Sequence, residues 1–261
     1  MFVQIKEIYK RIQKTPPGQP NAVPIDKNRY YVYYVMRPLS IPFTVLFYKL
    51  GIGANSATLI GNILLIASTA MLSLGSDYKV TLIALYNLYF IFDHVDGNLA
   101  RLNQTSSQFG KFYDGTSEFI LQKLFIFSLG LYAYYNTGSI IWIFIAFLAS
   151  FIEESYAYLE GRLSNTIANN LIQKNSITAN KEHQGGEIQK EVEKNPDKRS
   201  RSRRLFRFLL KNRMIINFPL LSALFLLDQL TLYLVIFLAS QILLFVPRIL
   251  LVVITAKKEL S

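Results

Sequence analysis

The chain has 261 residues, 51% of them hydrophobic and 17% charged, with 28 Lys+Arg against 17 Asp+Glu and a formal net charge of +11. Such a low charge content with a mean hydropathy of +0.26 argues against an ordinary soluble globular domain. The absence of cysteine excludes a disulfide scaffold, a Cys-based zinc site and cysteine catalysis.

Met1–Tyr30 is polar and lacks the short apolar core of a secretory signal. In Tyr33–Gly51, only eleven residues separate Arg37 from Lys49, and Pro38 and Pro42 lie among them. That is too short to cross a bilayer, so the segment predicts an amphipathic helix lying in the membrane interface, with a buried soluble-type helix as the alternative. A span needs about 18 or more mostly apolar residues. Ser56–Gly75, Val80–Ala100, Phe119–Tyr135 and Ile140–Tyr158 meet that need. The 43-residue run Met214–Ala256 is too long for one span and has a natural turning point at Asp228-Gln229. The expectation is an all-α integral membrane protein with six transmembrane helices and an N-terminal interfacial amphipathic helix. It falls into a leading segment 1–53, four spans in 54–160, a basic loop 161–213 and two spans in 214–261.

Basic residues orient such a bundle. Eight Lys/Arg precede the first span, thirteen lie between Arg162 and Arg213, and Lys257 and Lys258 close the chain, whereas the opposite turns carry only Lys79. Both termini and the loop are therefore expected on the cytoplasmic side, in a bacterial cell membrane given the compact chain. Asn169–Pro196, rich in Asn, Gln, Lys and Glu, has a flexible composition. Lys198–Arg213 interleaves basic with apolar residues; beside a span this favours anionic lipid over nucleic acid as partner.

Acids inside a span are costly and signal function. Asp93, Asp96, Gly97, Ala100 and Arg101 fall on one helical face, and Gly110, Asp114 and Glu118 step by four along the next helix. An antiparallel pair would turn four carboxylates into one cleft, with three small residues leaving room. Those carboxylates cannot all stay ionised without cations, and oxygen-only ligands favour Mg²⁺ or Mn²⁺. Two such ions would suit displacement at phosphorus, while a cation pathway or structural helix pairing are the bland alternatives.

The stretch Asp93-x2-Asp96-Gly97-x2-Ala100-Arg101-x8-Gly110-x3-Asp114-x3-Glu118 resembles the signature of the CDP-alcohol phosphatidyltransferases, matching seven of its eight fixed positions. Ala54-Asn55-Ser56-Ala57-Thr58 is similar to the family's P-N-x-x-T opening of its first span, with Ala for Pro. The resemblance implies a transfer of a phospho-alcohol from a CDP-alcohol donor to an acceptor hydroxyl, releasing CMP, with two Mg²⁺ or Mn²⁺ ions and a homodimer. By resemblance, Asp93, Asp96 and Asp114 are metal ligands, and the fourth acid both ligates the second metal and acts as catalytic base. Gly97, Ala100 and Gly110 would admit the cytidine part, Arg101 would pair with phosphate, and Asn55 and Thr58 would help hold the nucleotide. The departure is Glu118, where the signature has Asp: its carboxylate stands one C–C bond, about 1.5 Å, further out. An inactive homologue and a transporter using the acids as an ion path are the rival readings. A pathway would need ionisable groups on the outer half, where only Asp77, Lys79 and Asp228 lie, in turns. Glu153, Glu154 and Lys123 are candidate acceptor contacts with equally good interfacial readings, and for Arg248 snorkelling to the headgroups is preferred over an acceptor phosphate. His94 is expected to point away from its Asp neighbours.

Overall fold

A computed structural model describes residues 29–179 and 216–260. A π-helical turn, Val32–Met36, runs into α1 (Arg37–Lys49). It is followed by α2 (Ala54–Ser73), α3 (Lys79–Leu102), α4 (Gln108–Thr137) and α5 (Ile141–Ala179). A second π-helical turn, Ile216–Leu220, leads into α6 (Leu221–Leu226) and α7 (Leu230–Leu260). The described residues contain no strand. Two compact units result, one from Met1–Leu148 and Lys211–Phe237, the other from Ala149–Leu210 and Leu238–Ser261; α5 and α7 contribute to both.

Among the described residues, three helical stretches are long and apolar enough to cross a membrane: Ala54–Ser73, Ile141–Ile167 and Leu230–Lys257. Six were expected. The expected spans at Val80–Ala100 and Phe119–Tyr135 are present as α3 and α4, which are long enough but polar. Asn87, Asp93, His94, Asp96, Asn98 and Arg101 stand on α3, and Lys111, Asp114, Glu118, Gln122 and Lys123 on α4. The same side chains that make a candidate site lower the apolarity of the helices bearing it. The fifth expected span is represented by the π-helical turn and the six-residue α6, which stops where Asp228 turns left-handed at φ 61°. That turn is where the sequence divided the long apolar run.

Part of the expected loop 161–213 is helical instead, because α5 continues through Gly161 to Ala179. Leu159, Leu163, Ile167 and Leu171 keep an i, i+4 spacing there, which is compatible with helix. The basic block Lys198–Arg213 lies outside the described residues.

In the first unit, α2 packs against α3 and α4, while α1 lies along α3. The centre of the α1–α2–α3 contact is Phe47, Ala57, Phe92, Val95 and Leu99, with Phe92 stacked on Phe47 at 5.3 Å and edge-on to Phe43 at 5.4 Å. The segment expected to lie in the interface is thus a helix, and it buries Ile41, Val45 and Phe47. A polar seam fastens it: the fully buried Asn98 donates to Ser40 Oγ at 3.0 Å and Thr44 Oγ1 at 3.2 Å and accepts from Arg37 Nη1 at 3.4 Å. Buried amides need such partners, so Asn98 fixes the register of α1 on the helix that carries Asp93 and Asp96. Further along α3, Tyr86 stacks on Phe125 at 4.1 Å and Phe90 meets Phe218 edge-on.

The turns assigned to one membrane side by charge collect at one end of this unit. Lys79 forms an ion pair with Asp228, and Gly75, at φ +68°, lies under the ring of Tyr135. Gly130 lets α5 approach α4. A Cβ there would stand 2.8 Å from Ala146 Cβ and 2.9 Å from the Trp142 carbonyl oxygen, closer than real contacts. Gly130→Ala should therefore destabilise the protein by about 1–3 kcal/mol through overpacking. Gly115→Ala, whose Cβ would meet nothing within 4 Å, should be neutral or stabilising. Thermal unfolding of the two variants in detergent checks this; equal melting temperatures would contradict the packing.

In the second unit, Arg248 donates to Tyr156 Oη at 3.1 Å and sits over the Tyr156 ring, which also contacts Phe245 at 5.4 Å. Its side chain thus joins α7 to α5, a contact that neither sequence reading of Arg248 anticipated.

Candidate active site

The C-terminal turns of α3, the polar turn 103–107 and the N-terminal turns of α2 and α4 enclose a cavity of about 250 Å³. Asn55, Thr58, Asp96, Gly97, Ala100, Arg101, Gly110 and Asp114 line it. Every residue that the sequence marked for donor binding is therefore at one cavity, together with two of the four marked acids. Asp93 and Glu118 are not part of the lining. Each stands one helical turn away from it, Asp93 before Gly97 on α3 and Glu118 after Asp114 on α4.

The acids nevertheless form a group. Asp93 acts electrostatically on both Asp96 and Asp114, and Asp93, Asp114 and Glu118 all act on the hydroxyl of Tyr89. Asp96 is the most enclosed, 6% exposed, and its Oδ2 accepts a hydrogen bond of 2.6 Å from Thr58 Oγ1. Thr58 thereby orients a carboxylate from 38 residues away while it also lines the cavity. Asp93 Oδ2 lies 3.3 Å from His94 Nδ1, so His94 does not point away from its neighbours as expected. The bend of two adjacent side chains toward each other is a rotamer choice that helical periodicity does not reveal.

The same cavity also holds electropositive groups. The first residues of α2, Ala54 and Asn55, and the first turn of α4 both face the cavity, and helix N-termini present backbone N–H groups and the positive end of the helix dipole. Ser107 caps α4 by accepting from Gly110 N at 2.9 Å. Arg101, which donates to the Gly97 carbonyl at 2.9 Å, and Lys111 add two cationic side chains. A Cβ on Gly110 would be tight, 3.1 Å from Ser107 Oγ and 3.5 Å from Asn55 Oδ1.

Thr105, Ser106, Ser107 and Lys111 line the cavity but were not among the residues expected there from sequence. A signal existed for Ser107: serine after a polar turn and before a helix is a common N-cap. Glu153 and Glu154 are half-buried on α5, in the other unit, and take no part in the lining.

The donor set suits a hard cation, since the carboxylates are oxygen ligands, one of them desolvated and oriented by Thr58. Among the described residues, no three His, Asp or Glu side chains stand close enough together to hold a metal ion as they are placed.

The model of the CDP-alcohol phosphatidyltransferase family matches residues 52–175, a range containing the whole signature and every residue of the cavity. No curated protein matches the sequence. Over residues 52–175, the chain thus carries the sequence pattern of the CDP-alcohol phosphatidyltransferase family.

Proposed function

We propose that the protein is an integral membrane transferase that moves a phospho-alcohol group from a CDP-alcohol to an acceptor hydroxyl and releases CMP. The observation that carries this reading is that one cavity gathers groups of both signs. Two helix N-termini, Arg101 and Lys111 share it with Asp96 and Asp114, and Asp93 and Glu118 stand a turn away. Such a mixture suits a pyrophosphate accompanied by cations.

Asp93, Asp96, Asp114 and Glu118 would hold two Mg²⁺ or Mn²⁺ ions, whose chemistry is to neutralise phosphate charge and favour in-line displacement. The chain's own residues do the rest. Backbone N–H groups at the starts of α2 and α4 bind phosphate oxygens, assisted by Arg101 and Lys111. Gly97, Ala100 and Gly110 give the nucleotide access to the backbone, and Asn55 stands at its edge. Glu118 takes the acceptor's hydroxyl proton as its oxygen forms a bond to the phosphorus bearing the alcohol. The bond from that phosphorus to the bridging oxygen breaks, and CMP leaves with that oxygen. Membrane embedding and a cytoplasm-facing site are supported by the three apolar helices and the distribution of Lys and Arg.

A transporter is less well supported, because Lys79 and Asp228, two of the three ionisable groups in the outer turns, are engaged with each other. The test is CMP release by purified protein with Mg²⁺. The donors are CDP-diacylglycerol and small CDP-alcohols, and the acceptors are glycerol phosphate, inositol phosphate and diacylglycerol. Release above the no-acceptor background with one pair is expected. Turnover with none of them, together with cation flux in vesicles, would overturn the transferase.

A further inference from the structure

Glu118 differs from the family signature by one methylene, and that methylene adds a rotatable bond. An unrestrained glutamate spreads its carboxylate over more rotamers than an aspartate does, which is a handicap for a base that must meet one proton. The structure contains a restraint. Gln122 Nε2, one turn further along α4, donates to Glu118 Oε1 at 2.8 Å. A carboxylate only accepts, so the amide turns its nitrogen toward Glu118. The same Gln122 side chain hydrogen-bonds to the hydroxyl of Tyr89 on α3. Tyr89 is 3% exposed and its ring is wedged against the α2 backbone at Gly61, where a Cβ would be 3.6 Å from Tyr89 Cδ2. It also stands one turn before Asp93 on the acid-bearing face of α3. A rigid, buried aromatic on one helix therefore braces an amide that holds one oxygen of the carboxylate on the next helix.

We infer that Gln122 is a positioning residue for Glu118, with Tyr89 as its brace, so that this chain supports a glutamate base by a link between α3 and α4. The inference rests on the reading of Glu118 as the base. Its test uses the full-length protein and the donor–acceptor pair that releases CMP in the panel above, with Gln122→Leu, Tyr89→Phe, Glu118→Gln and the double variant Glu118→Gln/Gln122→Leu.

Gln122→Leu should lower kcat by roughly 10–100-fold, leave KM for the CDP-alcohol within about twofold and keep the melting temperature. Tyr89→Phe, which deletes one hydroxyl and keeps the ring, should lower kcat in the same direction by a smaller factor. The double variant should be no slower than Glu118→Gln alone, because a residue acting only through Glu118 has nothing left to position. In infrared difference spectra, the carboxylate band that disappears in Glu118→Gln should be displaced in Gln122→Leu, since its hydrogen bond is gone. Wild-type kcat in Gln122→Leu alongside a crippled Glu118→Gln would overturn the positioning role and leave the base intact. Losses that multiply in the double variant would also overturn it. Full turnover by Glu118→Gln, or no CMP release by any form including wild type, would remove the base and this inference with it.

Discussion

Glu118→Gln should reduce CMP release by roughly 10²–10⁴-fold. Glutamine preserves the length and shape of the side chain but can neither accept the acceptor's proton nor serve the cations as an anionic ligand, so the loss reports carboxylate chemistry rather than packing. Glu118→Asp is the companion variant. It restores the residue of the family signature yet withdraws the carboxylate by about 1.5 Å. With Oε1 held by Gln122 at 2.8 Å, the local arrangement is fitted to glutamate. Glu118→Asp should therefore lose about tenfold or more rather than gain. Equal turnover by wild type and Glu118→Gln would show that the proton goes elsewhere, to water or to substrate phosphate.

Removing the divalent cation should abolish activity. Chelation is expected to lower CMP release by at least about 10²–10³-fold, the scale on which losing one preorganised electrostatic stabiliser acts. Mg²⁺ or Mn²⁺ should restore it, and Zn²⁺ alone should not, since an oxygen-only donor set discriminates against zinc. Asp114→Asn should reproduce the chelated state while keeping the fold. Asp114 shares its surroundings with Asp93, and removing one charge from a crowded acidic group relieves repulsion in the metal-free protein. Melting temperature and CMP release measured together separate the two effects. An Asn variant with full activity would take Asp114 out of the site, and one that failed to fold would make its role structural.

The local content of this protein was legible in its sequence because it follows from helical repeat and chain length. Steps of three and four put Asp93, Asp96, Gly97 and Ala100 on one face of α3, and Gly110 and Asp114 on one face of α4. Apolar run length located α2, α5 and α7, and Asp228 marked the break that the left-handed turn makes. The charge count grouped the turns around Gly75, Tyr135 and Asp228, and contacts between them join the same end. Apolarity alone, however, overstated the number of stretches fit to cross a membrane, because α3 and α4 carry the site's polar side chains. Tertiary structure decided who meets whom. Periodicity gives each helix a face but not the partner that the face receives. The hydrogen bond from Thr58 to Asp96 exists because α2 and α3 approach closely at Gly61, where a Cβ would lie 3.3 Å from Phe92 Cβ. Asn98 holding α1, Ser107 capping α4 into the cavity and Gln122 bridging Glu118 to Tyr89 depend likewise on rotamers and interhelical distances. These are properties of packed neighbours, and close packing fixes them only once the helices have docked.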